Sequence, residues 1–177
     1  MNLPASISDG SVLLRHAREE DRAAVVSAMG DPLIAGWLNM PRSPRDADFD
    51  SLLRVAESGR SSGERFDYAV CRGADTTWLG AVIASRRHRD NYEVAYLAGE
   101  AGRSRGYMSA AVRLLSDALF AAGVERLELR THPDNEPSQR LARRCGFQRE
   151  GRERRSIWLH GKREDAYVWS LLPHDPR

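Results

Sequence analysis

The chain has 177 residues, 41% of them hydrophobic and 29% charged, the balance of an ordinary water-soluble globular protein and a length suited to a single domain over residues 1–177. A formal net charge of +2 gives no ground for nucleic-acid binding. With no apolar run of membrane-spanning length and no signal-peptide pattern in MNLPASISDG, a cytoplasmic location without a membrane partner is expected.

Residues 1–10 are polar and unpatterned and read as a loose terminus. A first strand follows over Ser11 to Arg15. A helix then starts at Glu19, Glu20 and Asp21 and is carried by Ala23, Val25, Val26 and Met29 to Gly30. Asp31 to Leu38 is irregular, with apolar residues placed to line something. Ser43, Pro44 and Asp46 read as the cap, first-turn proline and third-position acid of a second helix, whose face of Phe49, Leu52, Leu53 and Ala56 stops at Gly59. A polar connector runs from Arg60 to Glu64. Strands over Arg65 to Cys71 and Thr77 to Ser85 flank a turn containing Gly73, Ala74 and Asp75, and a charged turn from Arg86 to Asn91 leads to a further strand. Consecutive strands with short turns predict an antiparallel meander rather than a parallel dinucleotide-binding sheet.

The stretch EVAYLAGEAGRSRGYM, Glu93 to Met108, organises the rest. Val94, Tyr96 and Ala98 alternate with Glu93, Ala95 and Leu97 as a strand does. Gly99, Gly102 and Gly106 then surround Arg103, Ser104 and Arg105. From Met108 the residues Ala111, Val112, Leu115, Ala118, Leu119 and Ala122 recur at helical spacing up to a glycine cap at Gly123. Strand, glycine-and-arginine loop and helix N-terminus make a ready site for a phosphate or pyrophosphate, the alternative for Arg103 to Tyr107 being a solvated basic turn. Neither GxxxxGK[ST] nor GxGxxG occurs, which excludes a P-loop and argues against a Rossmann fingerprint.

Beyond the helix come a strand over Arg126 to Thr131 and a helix over Pro137 to Arg144 that stops at Gly146. Two final strands, Gly151 to Leu159 and Arg163 to Leu172, flank a two-residue His160-Gly161 loop. The predicted class is α+β: a mixed, mostly antiparallel sheet with helices on both faces. Cys71 and Cys145 are too few and too far apart for a disulfide framework or a zinc site. The five histidines have no metal spacing and read as surface or turn residues, so no metal is expected.

Arg103-Ser-Arg-Gly-Tyr-Met108 resembles the acyl-CoA loop Q/R-x-x-G-x-G/A of the GNAT N-acetyltransferases. Arg103 and Gly106 match, and Met108 departs from the pattern. VLLRHAREEDRAAVVSAM, ELRTHPDNEPSQRLARRCGF and EGRERRSIWLHGKREDAYVWSLL resemble the opening, HPDNxxS and closing-hairpin segments of the ribosomal-protein alanine acetyltransferase branch. The likeness spans about Ser11 to Leu172. It implies a GNAT-like fold, acetyl-CoA as co-substrate, a primary-amine acceptor such as a protein N-terminus or a small molecule, and a homodimer. It further implies that the amides from Arg103 through Ser104, Arg105, Gly106 and Tyr107 to Met108 hold the pyrophosphate, with the arginine side chains adding charge.

Other positions keep two readings. Glu93 is either the solvent-facing half of an alternating strand or the group that takes the acceptor's proton. An α-amine of pKa about 8 attacks a thioester only as the free base. A bulge in its strand would leave the amides of Tyr96, Leu97 and Ala98 for the thioester oxygen. Asn135 and Ser138 either cap the following helix or, by the resemblance, meet the coenzyme and its departing thiolate. Trp37, Asn39, Met40 and Trp158 either pack in the core or line the acceptor pocket. The competing functions are a non-catalytic acyl-CoA sensor on the same fold, transfer from another donor such as succinyl-CoA, and RNA association through the arginine-rich segment around Arg149.

Overall fold

Period-two alternation builds the sheet, and one long amphipathic helix covers it. The computed structural model describes residues 1–41, 43–73 and 75–176; Ala74 of the predicted turn lies outside them. The strands are β1 (Ser6–Ser8), β2 (Val12–Arg15), β3 (Arg65–Arg72), β4 (Trp78–His88), β5 (Asn91–Ala98), β6 (Arg126–Thr131), β7 (Gln148–Leu159) and β8 (Lys162–Leu171). The helices are α1 (Arg22–Met29), α2 (Pro32–Ala35), α3 (Asp46–Ser62), α4 (Tyr107–Ala121) and α5 (Glu136–Arg144). The sheet runs β1-β2-β3-β4-β5-β6-β8-β7, antiparallel throughout except where β5 meets β6. The class is α+β, as expected.

On one face, Met108, Ala111, Val112, Leu115 and Leu119 of α4 pack into a core with Leu79, Val82, Ala84, Tyr92 and Val94. The methionine, leucine and valine side chains among them each contribute about 1.5–3 kcal/mol by leaving water, the alanines less. On the other, Val25 and Met29 of α1 and Phe49 of α3 form a smaller cluster against Trp78 and Met40. Met40 therefore belongs to this cluster rather than to the central cleft described below. Among the described residues, no helix is long and apolar enough to cross a membrane.

Several elements depart from the sequence reading. Ser6–Ser8 is not a loose terminus: it pairs with β2 as an edge strand, a contact that three polar-flanked residues do not advertise. The helix beginning at Asp46 has Arg45 at its cap position, with the Asp48 carboxylate accepting from the Arg45 amide at 2.7 Å, and it runs past Gly59 to a left-handed Gly63. Gly59 stays inside because Arg65 lies against it, leaving no room for a Cβ. Asp31 to Leu38 is partly ordered: Asp31 caps the short α2 by accepting from the Leu33 amide at 2.8 Å. Trp169 is core, 1% exposed, while Trp158 is 55% exposed.

Candidate active site

β5 and β6 are parallel and share only three register pairs, Asn91↔Arg126, Tyr92↔Leu127 and Glu93↔Glu128. Beyond Glu93 they separate, and a cleft of about 830 Å³ opens between them. The expected bulge at Tyr96 to Ala98 is absent. Pairing with β4 is regular there, and the irregularity falls between Arg86 and His88. The separation does the same work. The Gly99 amide donates to Leu79 O at 2.9 Å, so by the alternation of an antiparallel ladder Leu97 also turns toward β4, while the amides of Tyr96 and Ala98, beyond the last pair with β6, face the cleft.

At one end of the cleft lies the loop before α4. Gly102 sits so close to β4 that a Cβ would meet Leu79 O at 2.1 Å, and Gly106 takes a left-handed φ of +80° with open space where its Cβ would be. Ser104 is also left-handed, at +58°. Left-handed residues next to a helix start turn consecutive amides into one concavity suited to an anion. Arg103 N–H donates to Glu100 O, but the amides of Ser104 to Ser109 have no backbone acceptor among the described residues. These six donors, at the positive end of a 15-residue helix, form the cradle. The Met108 side chain turns into the core, 5% exposed, so its departure from the loop pattern leaves its amide in place.

Arg103 does not present its charge to this cradle. Its guanidinium pairs with Asp31 at the start of α2, and its Nε donates to Ala98 O at 3.2 Å. The pair holds the Asp31 carboxyl below its usual range, mainly through the Arg103 hydrogen bond. Arg105 is exposed, and neither it nor Tyr107 lines the cleft.

The other end is walled by α2 and the β7–β8 hairpin. Leu33, Ile34, Trp37, Ile157 and Trp158 line it. The Asn39 amide fastens the two walls together, donating to Trp158 O at 2.5 Å and accepting from the His160 amide at 3.0 Å. Asn39 is thus both a lining residue and a latch. His132, read from sequence as a surface or turn residue, lies in the cleft with its ring 5.3 Å from Trp37. The Asp134 amide donates to its Nδ1 at 3.1 Å. A backbone N–H requires an acceptor, so neutral His132 carries its proton on Nε2.

Glu93 stands where the strands part. Its Oε2 accepts from Arg130 Nη1 at 3.1 Å and lies 3.4 Å from Arg87 Nε. Arg130 also reaches Glu128 at 3.1 Å and Glu153 at 3.0 Å. Burial disfavours the Arg130 charge, but the Glu153 hydrogen bond and the fields of Glu93, Glu153 and Glu128 outweigh it and raise its pKa. Across the cleft, Asn135 Oδ1 accepts from the Ser138 amide at 3.1 Å, the capping contact of the first reading of Asn135, and Asn135 also lines the cleft. Ser138 Oγ accepts from the Tyr96 hydroxyl at 2.8 Å. Sequence reasoning missed Asp31, Arg130, His132 and the Tyr96 hydroxyl. For Arg130 the signal was present, as an arginine on the charged face of β6 beside Glu128.

Known proteins share features of this chain's sequence and fold. The acetyltransferase (GNAT) domain family matches residues 11–148. The "probable N-acetyltransferase YjcK" of Bacillus subtilis (strain 168) is 28% identical over 116 residues, covering 63% of this chain and 64% of its own length. The uncharacterised N-acetyltransferase p20 of Bacillus licheniformis is 23% identical over 92% of this chain and 93% of its own. Among solved structures, the ribosomal-protein-S5-alanine acetyltransferase of Vibrio fischeri superposes with a TM-score of 0.83 at 19% identity, covering 98% of this chain and 100% of its own. The microcin C7 self-immunity acetyltransferase MccE, solved with acetyl-CoA and AMP, gives 0.85 at 18% identity over 96% of this chain and 97% of its own.

Proposed function

Because the chain belongs to the GNAT acetyltransferase family, we propose that it moves an acetyl group from acetyl-CoA to a primary amine by direct attack within a ternary complex. The observation that carries this reading is the run of unpaired amides from Ser104 to Ser109, opening into a cleft made by two separating strands. The cradle fits a pyrophosphate, and the cleft-facing amides of Tyr96 and Ala98 suit a thioester oxygen as negative charge develops on it. Glu93 takes the acceptor proton, directly or through water. Ser138 donates a hydrogen bond to the departing thiolate. Trp37 and Trp158, with Asn39 as their frame, receive the acceptor. A peptide N-terminus, as for the ribosomal-protein acetyltransferases among the structural neighbours, is the acceptor class we favour, and the protein acts as a homodimer in the cytoplasm.

Part of the segment that the RNA reading relies on has internal partners: Glu150 and Glu153 pair with Arg126 and Arg130, Arg152 with Asp165, and Arg149 lies over Tyr167.

The test is CoA release by the purified protein against peptides, polyamines and aminoglycosides, with acetyl-CoA and succinyl-CoA as donors. Release from acetyl-CoA with α-amine peptides supports the proposal. Tight acetyl-CoA binding with no release for any amine would make the protein a sensor. Light scattering at micromolar concentration decides the dimer, which a monomeric mass excludes.

A further inference from the structure

Tyr96 and Ser138 are 42 residues apart and meet across the cleft, from β5 and the first turn of α5. At this level β5 no longer shares register with β6, so the contact is a side-chain tie where the backbone ladder has ended. A serine hydroxyl has one proton and two lone pairs. Accepting from Tyr96 fills one lone pair and leaves the Ser138 proton to be donated, and among the described residues it has no acceptor.

We propose that Tyr96 is a positioning residue: its hydroxyl fixes the rotation of Ser138 so that the Ser138 O–H points at the sulfur that leaves during acyl transfer. The inference rests on the reading of Ser138 given above. In the step concerned, the amine nitrogen bonds to the carbonyl carbon, the C–S bond breaks with its electron pair going to sulfur, and the amine proton passes to Glu93.

Relative acidity decides whether a proton also follows the sulfur. A thiol has a reference pKa of about 8.5. Burial pushes the Tyr96 phenol up to about 12, and a serine hydroxyl is weaker still. Proton transfer from either group to the thiolate runs uphill by more than a thousandfold. The pair therefore acts through an oriented hydrogen bond, and the thiolate collects its proton from solvent afterwards.

The experiment is a double-mutant cycle with Tyr96→Phe, Ser138→Ala and both, measuring kcat, KM for acetyl-CoA and the pH profile, with melting curves confirming that each variant folds. Each single variant should lose about tenfold in kcat with little change in KM, and the double variant about tenfold rather than a hundredfold. Ser138→Thr, which keeps a hydroxyl, should recover rate only while Tyr96 is present. Wild-type kcat in Ser138→Ala would remove the reading of Ser138 itself. A slow Ser138→Ala beside a wild-type Tyr96→Phe would remove Tyr96 alone. Additive losses, or the disappearance of an alkaline limb in Tyr96→Phe, would also overturn the proposal, the last by making Tyr96 a proton donor.

Discussion

Arg130 donates to Glu93 at 3.1 Å at the level where β5 and β6 stop pairing. One guanidinium thereby ties β5 to β6 and, through Glu153, to β7. Arg130→Met should leave three carboxylates without their shared cation. The expected loss is about 1–3 kcal/mol of stability, at the lower end because Glu153 is substantially exposed. Adding Glu93→Gln should cost less than the sum of the two, since the neutral amide needs no cation. Urea denaturation of the four proteins measures this, and strict additivity would mean that the pair does not couple.

Glu93→Gln keeps the shape of the side chain and removes the base. A hundredfold or larger fall in kcat is expected, with acetyl-CoA affinity unchanged and partial recovery at high pH, where the amine is already deprotonated. Wild-type kcat at neutral pH, with chemistry rate-limiting, would return Glu93 to the role of an ion-pairing strand residue.

Gly106→Val places a β-branched side chain at φ +80°, in a position open to the cradle. Acetyl-CoA should raise the melting temperature of the wild type; a hundredfold excess over Kd is worth about 2.7 kcal/mol. The variant should lose most of that shift. ATP and NAD should give much smaller shifts in the wild type, and equal shifts for all three would sink the coenzyme assignment.

Acid should weaken the fold through the paired carboxylates. Hydrogen bonds from Arg126 and then Ser170 lower Glu150 to about 2. Glu153 is lowered mainly by Arg130, and Glu128 is lowered although burial opposes it, by Asn91 and Arg126. Each folded pKa lies below the unfolded value of about 4.3, so the folded state binds fewer protons than the unfolded chain in that window. The stabilisation is present above about pH 4.3 and, for Glu150, is lost as pH falls through about 2. Melting temperature should drop over that range, and less steeply in Arg126→Gln. An unchanged slope in that variant would remove Arg126 as the cause.

Much of this was legible in the sequence because it depends on local pattern. The alternation in Glu93–Ala98, the helical spacing from Met108 and the His160-Gly161 turn each follow from neighbours a few residues away, and each element formed where they put it. What was not legible is set by partners far along the chain. Nothing near Arg103 says that Asp31 will take its charge, and nothing near Tyr96 says that its hydroxyl will find Ser138. Gly59 reads as a helix stop until Arg65 is seen lying against it. Asn39 reads as a pocket residue, and only the folded hairpin shows that both ends of its amide are occupied.

On the hairpin side, the Asn39 latch grips main-chain atoms alone: the carbonyl of Trp158 and the amide of His160. Every residue type offers the same carbonyl. Ile157 and Trp158, which line the cleft, are therefore free to change without unfastening the wall that carries them. Under the proposed function, acceptor preference would drift by resurfacing two positions on a fixed frame, while the amides before α4 at the far end of the cleft stay as they are.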